Sequence, residues 1–412
     1  MSELRPHSTE FLRWEIDDRL MVDSIKTLVV SESLLPKRCG SSIVMENFAA
    51  HFSADELVLL GDCAFGKRTE HQRQQGFPEV EYFGTAMSLG GRGARFFKRL
   101  RWRLLDRLVK RIMDVATRHR CNHILGVYPD DLWCYAACLA AKRLNVPFDS
   151  YFHNTYVDND AIEDVRAQQY QAEIFERSRT VFVMSDGMLG YMRDTYPEVK
   201  FSVLTHVFCE YPSRFEREPV SVTGTKRIVL FGNFNQSNLD ATLRLQAAVR
   251  SRCDYELHFY TDVPRLLLAQ RGLNVSTEHY HGALGHLSFD DMMSEIRQYD
   301  LVALTHGLTG GYGAVEYQTI FPTRTIPMML SGLPLLVHSP ENAFLSEFVR
   351  EHGIGCLVTQ PSESELVAAL DRLVADRELA DDKIRNAMTA AGLFFGQRVT
   401  SQFRDQIRRP AV

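Results

Sequence analysis

The chain lacks the cysteine spacings that mark a metal site or a disulfide framework. Its eight cysteines stand at 39, 63, 121, 134, 138, 209, 253 and 356, with no CxxC pair and no histidine at zinc-finger distance, so they read as reduced, mostly buried thiols. It lacks any run approaching about 18 consecutive apolar residues, which excludes an evident spanning helix. The amino terminus, Met-Ser-Glu-Leu-Arg-Pro-His, has no apolar stretch behind a basic start, so no signal peptide is expected and the cytoplasm is the default location. Strong net charge is missing too. The 47 Lys and Arg against 52 Asp and Glu leave −5, so the molecule as a whole offers no electrostatic case for nucleic acid. Short repeats and low-complexity tracts are absent. What remains is 412 residues with 45% hydrophobic and 24% charged content, the composition of a globular protein too long for one ordinary core.

Short apolar runs alternate with longer helical periods, which predicts an α/β fold of doubly wound parallel sheets. One series of strands is expected at 27–31, 56–60, 123–127, 148–152, 180–184 and 201–205. A second is expected at 227–231, 256–260, 301–305, 334–338 and 355–358, with a further extended segment at 275–280. Between the series, residues 208–225 carry Pro212, Pro219 and Gly224 with mixed charge and no period, as a hinge linker would. The expected organisation is therefore a first Rossmann-like domain over 1–207, the linker, a second over 226–394, and a final amphipathic helix within 395–412.

Candidate site residues follow from the rule that ligands bind at the carboxyl edge of parallel sheets. Gly232-Asn233-Phe-Asn235 ends the first strand of the second domain, where glycine permits close backbone approach to a phosphate; an ordinary strand-to-helix turn is the alternative. It is not a GxGxxG fingerprint, which disfavours a nicotinamide enzyme. Tyr260-Thr261 and His281-Gly282 follow extended segments and fall on the same edge, suited to a nucleotide base or to mere exposure. Gly307, Gly310, Gly311 and Gly313 crowd one loop around Tyr312, and Glu316 just beyond could bond sugar or ribose hydroxyls. Arg324, with Thr323, Thr325 and Ile326 at a helix start, offers a cation and amides to a diphosphate. In the first domain, Gly40 and Ser41 form a turn facing the crevice, and His153 follows a strand.

Residues 92–120 hold eleven cations against Asp106 and Asp114, with an apolar stripe at helical period. Near Phe96 and Trp102, that cationic face could meet anionic lipid head groups, or simply be solvated.

Taken in order, these segments resemble the retaining GT-B glycosyltransferases, the large family that includes bacterial lipopolysaccharide, capsule and phosphoinositol mannosyltransferases. The resemblance runs from about residue 26 to the end. It is carried by the Pro36–Ser41 turn, by His153-Asn154, by Met184-Ser185 with Tyr196-Pro197, by Phe231-Gly232, by His281-Gly282, and by Phe321-Pro322-Thr-Arg324 through Gly332-Leu-Pro334. It implies two Rossmann-like domains facing a cleft, no cofactor, and a UDP- or GDP-linked sugar as donor. A carbohydrate, lipid-linked or small-molecule acceptor lies in the first domain, and configuration is retained without a metal. Arg324 would steady the leaving diphosphate, with His153 and Glu316 as the other catalytic candidates. Asp158-Asn-Asp160 lies in the wrong domain to hold a donor-bound cation. The chain departs from the family where Pro327 replaces an acid, where the loop before Glu316 lacks one, and where Asn233 and Asn235 replace a lysine. A noncatalytic scaffold that binds a partner or membrane, and a nucleotide-sugar epimerase, are the competing readings.

Overall fold

The computed structural model describes residues 25–34, 39–62, 76–85, 100–158, 166–208, 224–284, 287–307 and 313–409. Gly310, Gly311 and Tyr312 lie outside the described residues, as do 92–99 of the basic segment and 209–223 of the expected linker.

Two wholly parallel sheets form the frame. The first has seven strands in the order β3-β2-β1-β4-β5-β6-β7: β1 Thr27–Ser31, β2 Leu57–Asp62, β3 Glu79–Phe83, β4 His123–Tyr128, β5 Phe148–Phe152, β6 Val181–Val183 and β7 Phe201–Val203. The second has six in the order β10-β9-β8-β11-β12-β13: β8 Lys226–Phe231, β9 Tyr255–Tyr260, β10 Tyr280–His281, β11 Leu301–Thr305, β12 Leu335–His338 and β13 Cys356–Val358. Each winding reverses once, between β1 and β4 and between β8 and β11, and a crevice opens at the carboxyl ends of such a pair. The central strands are buried from end to end, as β1 and β11 are, because helices cover both faces. That is why these strands read as unbroken apolar runs.

The expected strands are present to within two residues at either end. Glu79–Phe83 was not expected as a strand: it is the sheet's edge, only half-buried, and its Glu-Val-Glu-Tyr-Phe sequence carries no apolar run. The segment expected at 275–280 contributes only the two-residue β10.

The last helix, Gly396–Arg408, belongs to the first sheet's core. Val399, Phe403 and Ile407 recur every four residues, so they fall on one face, and all three are buried there. The Phe403 ring packs 5.1 Å from Phe48 and 5.6 Å from Phe182, while Arg404 Nε donates to Glu56 at 2.8 Å.

The described part of the basic segment, 100–120, is less available than its composition implied. Residues Leu105–Arg118 form a helix with Leu108, Val109, Ile112, Val115 and Ala116 turned inward. Arg101 is held between Asp130 at 2.6 Å and Asp131 at 2.9 Å, and Arg111 and Arg118 both bind Glu81. The Trp102 ring stacks on Tyr170 at 4.5 Å, an internal contact. Arg103, Arg107, Lys110 and Arg120 remain exposed.

Phe403→Ala removes a fully buried ring from the helix that closes this core. It is expected to cost about 3–5 kcal/mol. Urea unfolding read on the first domain checks this, and a loss below about 1 kcal/mol would show that the helix packs loosely.

Candidate active site

One cation, Arg324, sits where the winding of the second sheet reverses. Strand β8 ends at Gly232, whose φ of +116° lies where side chains are disfavoured. The Gly232 N–H donates to the Tyr260 carbonyl at 3.0 Å, so this amide is closed into the sheet and not offered to a phosphate. The glycine instead provides room. A Cβ placed there would stand 3.0 Å from Arg324 Nη1 and 3.3 Å from its Cδ. From the other side, Arg324 Nη2 donates to the Thr305 carbonyl at the end of β11, at 2.7 Å. The guanidinium thus bridges β8 and β11, the two strands between which the winding reverses.

Arg324 keeps some exposed surface along its length, but burial of the guanidinium end pulls its pKa down to about 10. Burial is the cause, and no ion pair between Arg324 and a carboxylate is present among the described residues. Its influence reaches His306, whose pKa falls to about 3 through burial first and then Arg324. The His306 Nε2 is buried without a hydrogen-bond partner.

The adjoining helix start offers less than expected. The Thr325–Leu330 helix has six residues, and the amides of Thr325 and Ile326 already bond the carbonyls of Pro322 and Thr323 at 2.9 and 3.3 Å. The Thr325 hydroxyl, by contrast, is fully buried and unpartnered. Pro327 sits in the first turn, where a missing N–H breaks no helical bond.

Asn235 proves to be a turn residue. Its Oδ1 accepts from the Ser237 amide at 3.0 Å and hydroxyl at 2.6 Å, and its carbonyl accepts the first amides of the Leu239–Arg250 helix. The Asn233 carbonyl accepts from Asn238 Nδ2 at 3.1 Å, leaving its side chain exposed. Tyr260 and His281 turn into the second domain. Their rings stack at 4.6 Å, the Tyr260 hydroxyl donates to Glu295 at 3.0 Å, and His281 Nε2 lies 3.1 Å from His258 Nδ1. The Thr261 hydroxyl accepts the Val263 amide at 3.1 Å. Gly282 has open space where a Cβ would go.

The first domain meets Arg324 through the adjacent Thr323. A Cβ on Gly40, the first residue of the Gly40–Ala49 helix, would stand 3.1 Å from Thr323 Oγ1. Next to it, Ser41 Oγ lies 2.6 Å from His153 Nδ1. His153 is buried and its pKa is held well below the usual range, by burial and then by His206. Its Nε2 is buried with no partner, so whichever tautomer forms, one polar atom is left for a ligand. His206 sits at about 4, lowered by burial and raised in part by a hydrogen bond with the Phe321 backbone across the domain seam.

Glu316, on the Ala314–Thr319 helix, is 3% exposed and accepts from the Thr155 hydroxyl of the first domain at 3.3 Å. Burial raises its carboxyl to about 7, and the Thr155 bond only partly opposes this. A second bond crosses the seam where Ser185 Oγ donates to the Thr319 carbonyl at 2.6 Å. Along that seam the structure gathers Gly40, Ser41, His153, Gly232, Glu316, Thr323 and Arg324. Sequence reasoning passed over His206, His306 and Thr155. Yet His306 directly follows β11 and His206 follows β7, the strand-end signal that singled out His153.

Structural comparison agrees with this frame. Sucrose-phosphate synthase from Thermosynechococcus elongatus matches with a TM-score of 0.64 over 93% of this chain and 98% of that one, at 13% identity. Anabaena HepE in complex with UDP and glucose matches with 0.66 over 94% and 100%, at 15% identity. A glycosyltransferase from Rickettsia africae matches with 0.61 over 94% and 98%, at 12% identity. No protein-family model matches the sequence, and no curated protein does. At these identities the likeness is one of fold: two Rossmann-like parallel-sheet domains in the GT-B arrangement.

The environment of Glu316 makes a pH prediction. Its folded pKa of about 7 lies above the ordinary 4.5, so ionisation opposes folding, and the penalty grows as pH rises from about 4.5 to 7. Compared with Glu316→Gln, the wild-type protein is expected to lose up to roughly 3 kcal/mol across that window, at 1.36 kcal/mol per unit. Parallel stability curves for the two proteins between pH 4 and 8 would contradict this.

Proposed function

We propose that this chain is a glycosyltransferase that moves a sugar from a nucleotide-sugar to an acceptor, with retention of configuration and without a divalent ion at the diphosphate. The observation that carries the proposal is Arg324. A desolvated guanidinium with no counter-anion among the described residues is costly, and a carboxyl-edge crevice at a winding reversal is where a diphosphate would offset that cost. The GT-B frame supports the same reading. HepE has been crystallised with UDP-glucose, so uridine diphosphate sugars are the first donors to test.

In this scheme the glycosidic bond to the diphosphate breaks and negative charge builds on the leaving oxygen. Arg324, held by Thr305 and given room by Gly232, meets that charge with planar donors. A donor phosphate oxygen takes the proton of the attacking acceptor hydroxyl as the new bond forms on the same face. His153, oriented by Ser41, hydrogen-bonds a hydroxyl of the transferring sugar through Nε2. Glu316 binds donor hydroxyls and stands in for the acids the chain lacks at Pro327 and in the preceding loop. Gly40 and Ser41 border the acceptor side, and the backbone at Thr261 and Gly282 receives the nucleotide base. The fixed groups act by positioning and by charge stabilisation in a dry site.

Replacing Arg324 separates function from stability. Arg324→Met is expected to lower turnover by about 10²–10³-fold and to weaken UDP binding at least about tenfold by calorimetry. The unliganded protein should be as stable as wild type or more so, since an uncompensated buried charge has gone. Unchanged UDP affinity would remove Arg324 from the mechanism. Free nucleotide released only when an acceptor is present identifies a transferase, interconversion of the donor sugar alone identifies an epimerase, and no thermal stabilisation by any nucleoside diphosphate identifies a scaffold.

A further inference from the structure

We propose that Glu256, His258 and His279 form a site for a divalent transition metal of the zinc class, at the outer edge of the second sheet. Nothing in the spacing of these residues announces it, because the third ligand comes from a neighbouring segment. Glu256 and His258 are two apart on β9 and so project from one face. His279 immediately precedes β10, and its carbonyl accepts the Phe259 amide at 2.8 Å, which sets it alongside them.

One ligand atom from each residue lies within 4.8 Å of the other two. Glu256 Oε2 stands 3.7 Å from His258 Nε2 and 3.7 Å from His279 Nε2. Tetrahedral zinc with bonds of about 2.0–2.1 Å separates its ligand atoms by ~3.4 Å, so each of the two Glu256–histidine separations would close by about 0.3 Å on binding.

A second observation points at a ligand. His258 is 9% exposed, and its Nε2 is buried without a hydrogen-bond partner while facing the Glu256 carboxylate. A buried polar atom left unpaired is costly, and a metal ion would satisfy it. The other ring nitrogen, Nδ1, lies 3.1 Å from His281 Nε2. With the proton on Nδ1, this contact fixes the ring and leaves the Nε2 lone pair for coordination, the outer-shell arrangement that metal-binding histidines use. Glu256 and His279 are 41% and 27% exposed at their side chains, so an ion has a path in and water has room to complete its coordination.

The rival cluster among the described residues is Glu79, Glu81 and His119. There Glu81 already binds the guanidinium groups of Arg111 and Arg118, which a metal would have to displace. The proposed site also lies away from the diphosphate crevice. Glu256 pairs with Arg227 and Tyr260 with Phe231, which puts the carboxylate about 13 Å down the sheet from the end that carries Gly232. Its effect would be to clamp the His279 segment to β9, since β10 pairs with β9 through only two residues.

The test uses the full chain stripped with a chelator. Zn²⁺ is titrated in competition with a chromophoric chelator, and Co²⁺ absorption reports the coordination geometry. One site with a dissociation constant below about 10 μM is expected, with tetrahedral-type Co²⁺ bands and a raised melting temperature. His279→Ala and Glu256→Gln, both at accessible positions, should each weaken binding at least about tenfold without moving the metal-free melting temperature. His119→Ala should leave it unchanged. Absence of Zn²⁺ binding, affinity indifferent to His279→Ala and Glu256→Gln, or affinity lost with His119→Ala would overturn the assignment.

Discussion

A guanidinium kept partly dry, with no carboxylate beside it among the described residues, sets the terms for this molecule. Arg324 is tolerated because Gly232 leaves space for it and the Thr305 carbonyl accepts from it. That arrangement requires β8 and β11 to be neighbours, which they are only because the winding of the second sheet reverses between them. His306 beside Arg324 is held neutral by burial first and by that cation second.

The first domain completes the site through contacts of short side chains. Gly40 approaches Thr323 so closely that a methyl group would crowd it, and Ser185 and Thr155 reach across to the helix that carries Glu316. The buried histidines on this seam, His153 and His206, are neutral for the same reason: burial disfavours the imidazolium. The final helix adds a covalent tie. It follows the second domain in the chain but buries Val399, Phe403 and Ile407 in the core of the first, so both ends of the second domain are attached to the first sheet.

The outer edge of the second sheet follows a different logic. Tyr260, His281, His258 and Tyr299 form a connected polar-aromatic group there, and the residues most suggestive of base binding by position are engaged with one another. Among the described residues, that edge leaves His258 Nε2 buried without a hydrogen-bond partner. The second domain thus carries, among the described residues, a cation without a counter-anion at the winding reversal and an unpartnered imidazole nitrogen at the outer edge.

The alternation of buried apolar runs and helical periods was sufficient to place both sheets, because strands covered on two faces must be apolar along their whole length. Strand ends then singled out Gly232 and His153, since a parallel sheet sends its loops to one edge, and Arg324 was singled out as a cation at a helix start. β3 escaped because an edge strand with one solvated side needs no such run. Which way a side chain turns, and whether an amide is already taken, depends on partners tens or hundreds of residues away. The Gly232 amide is spent on Tyr260, Trp102 is stacked on Tyr170, and Glu256 meets His279 only through the pairing of β9 with β10. Local periodicity therefore determined the elements and the edge where chemistry gathers. Long-range hydrogen-bond competition and burial, which exist only once the sheets are assembled, decided which groups at that edge remain free to act.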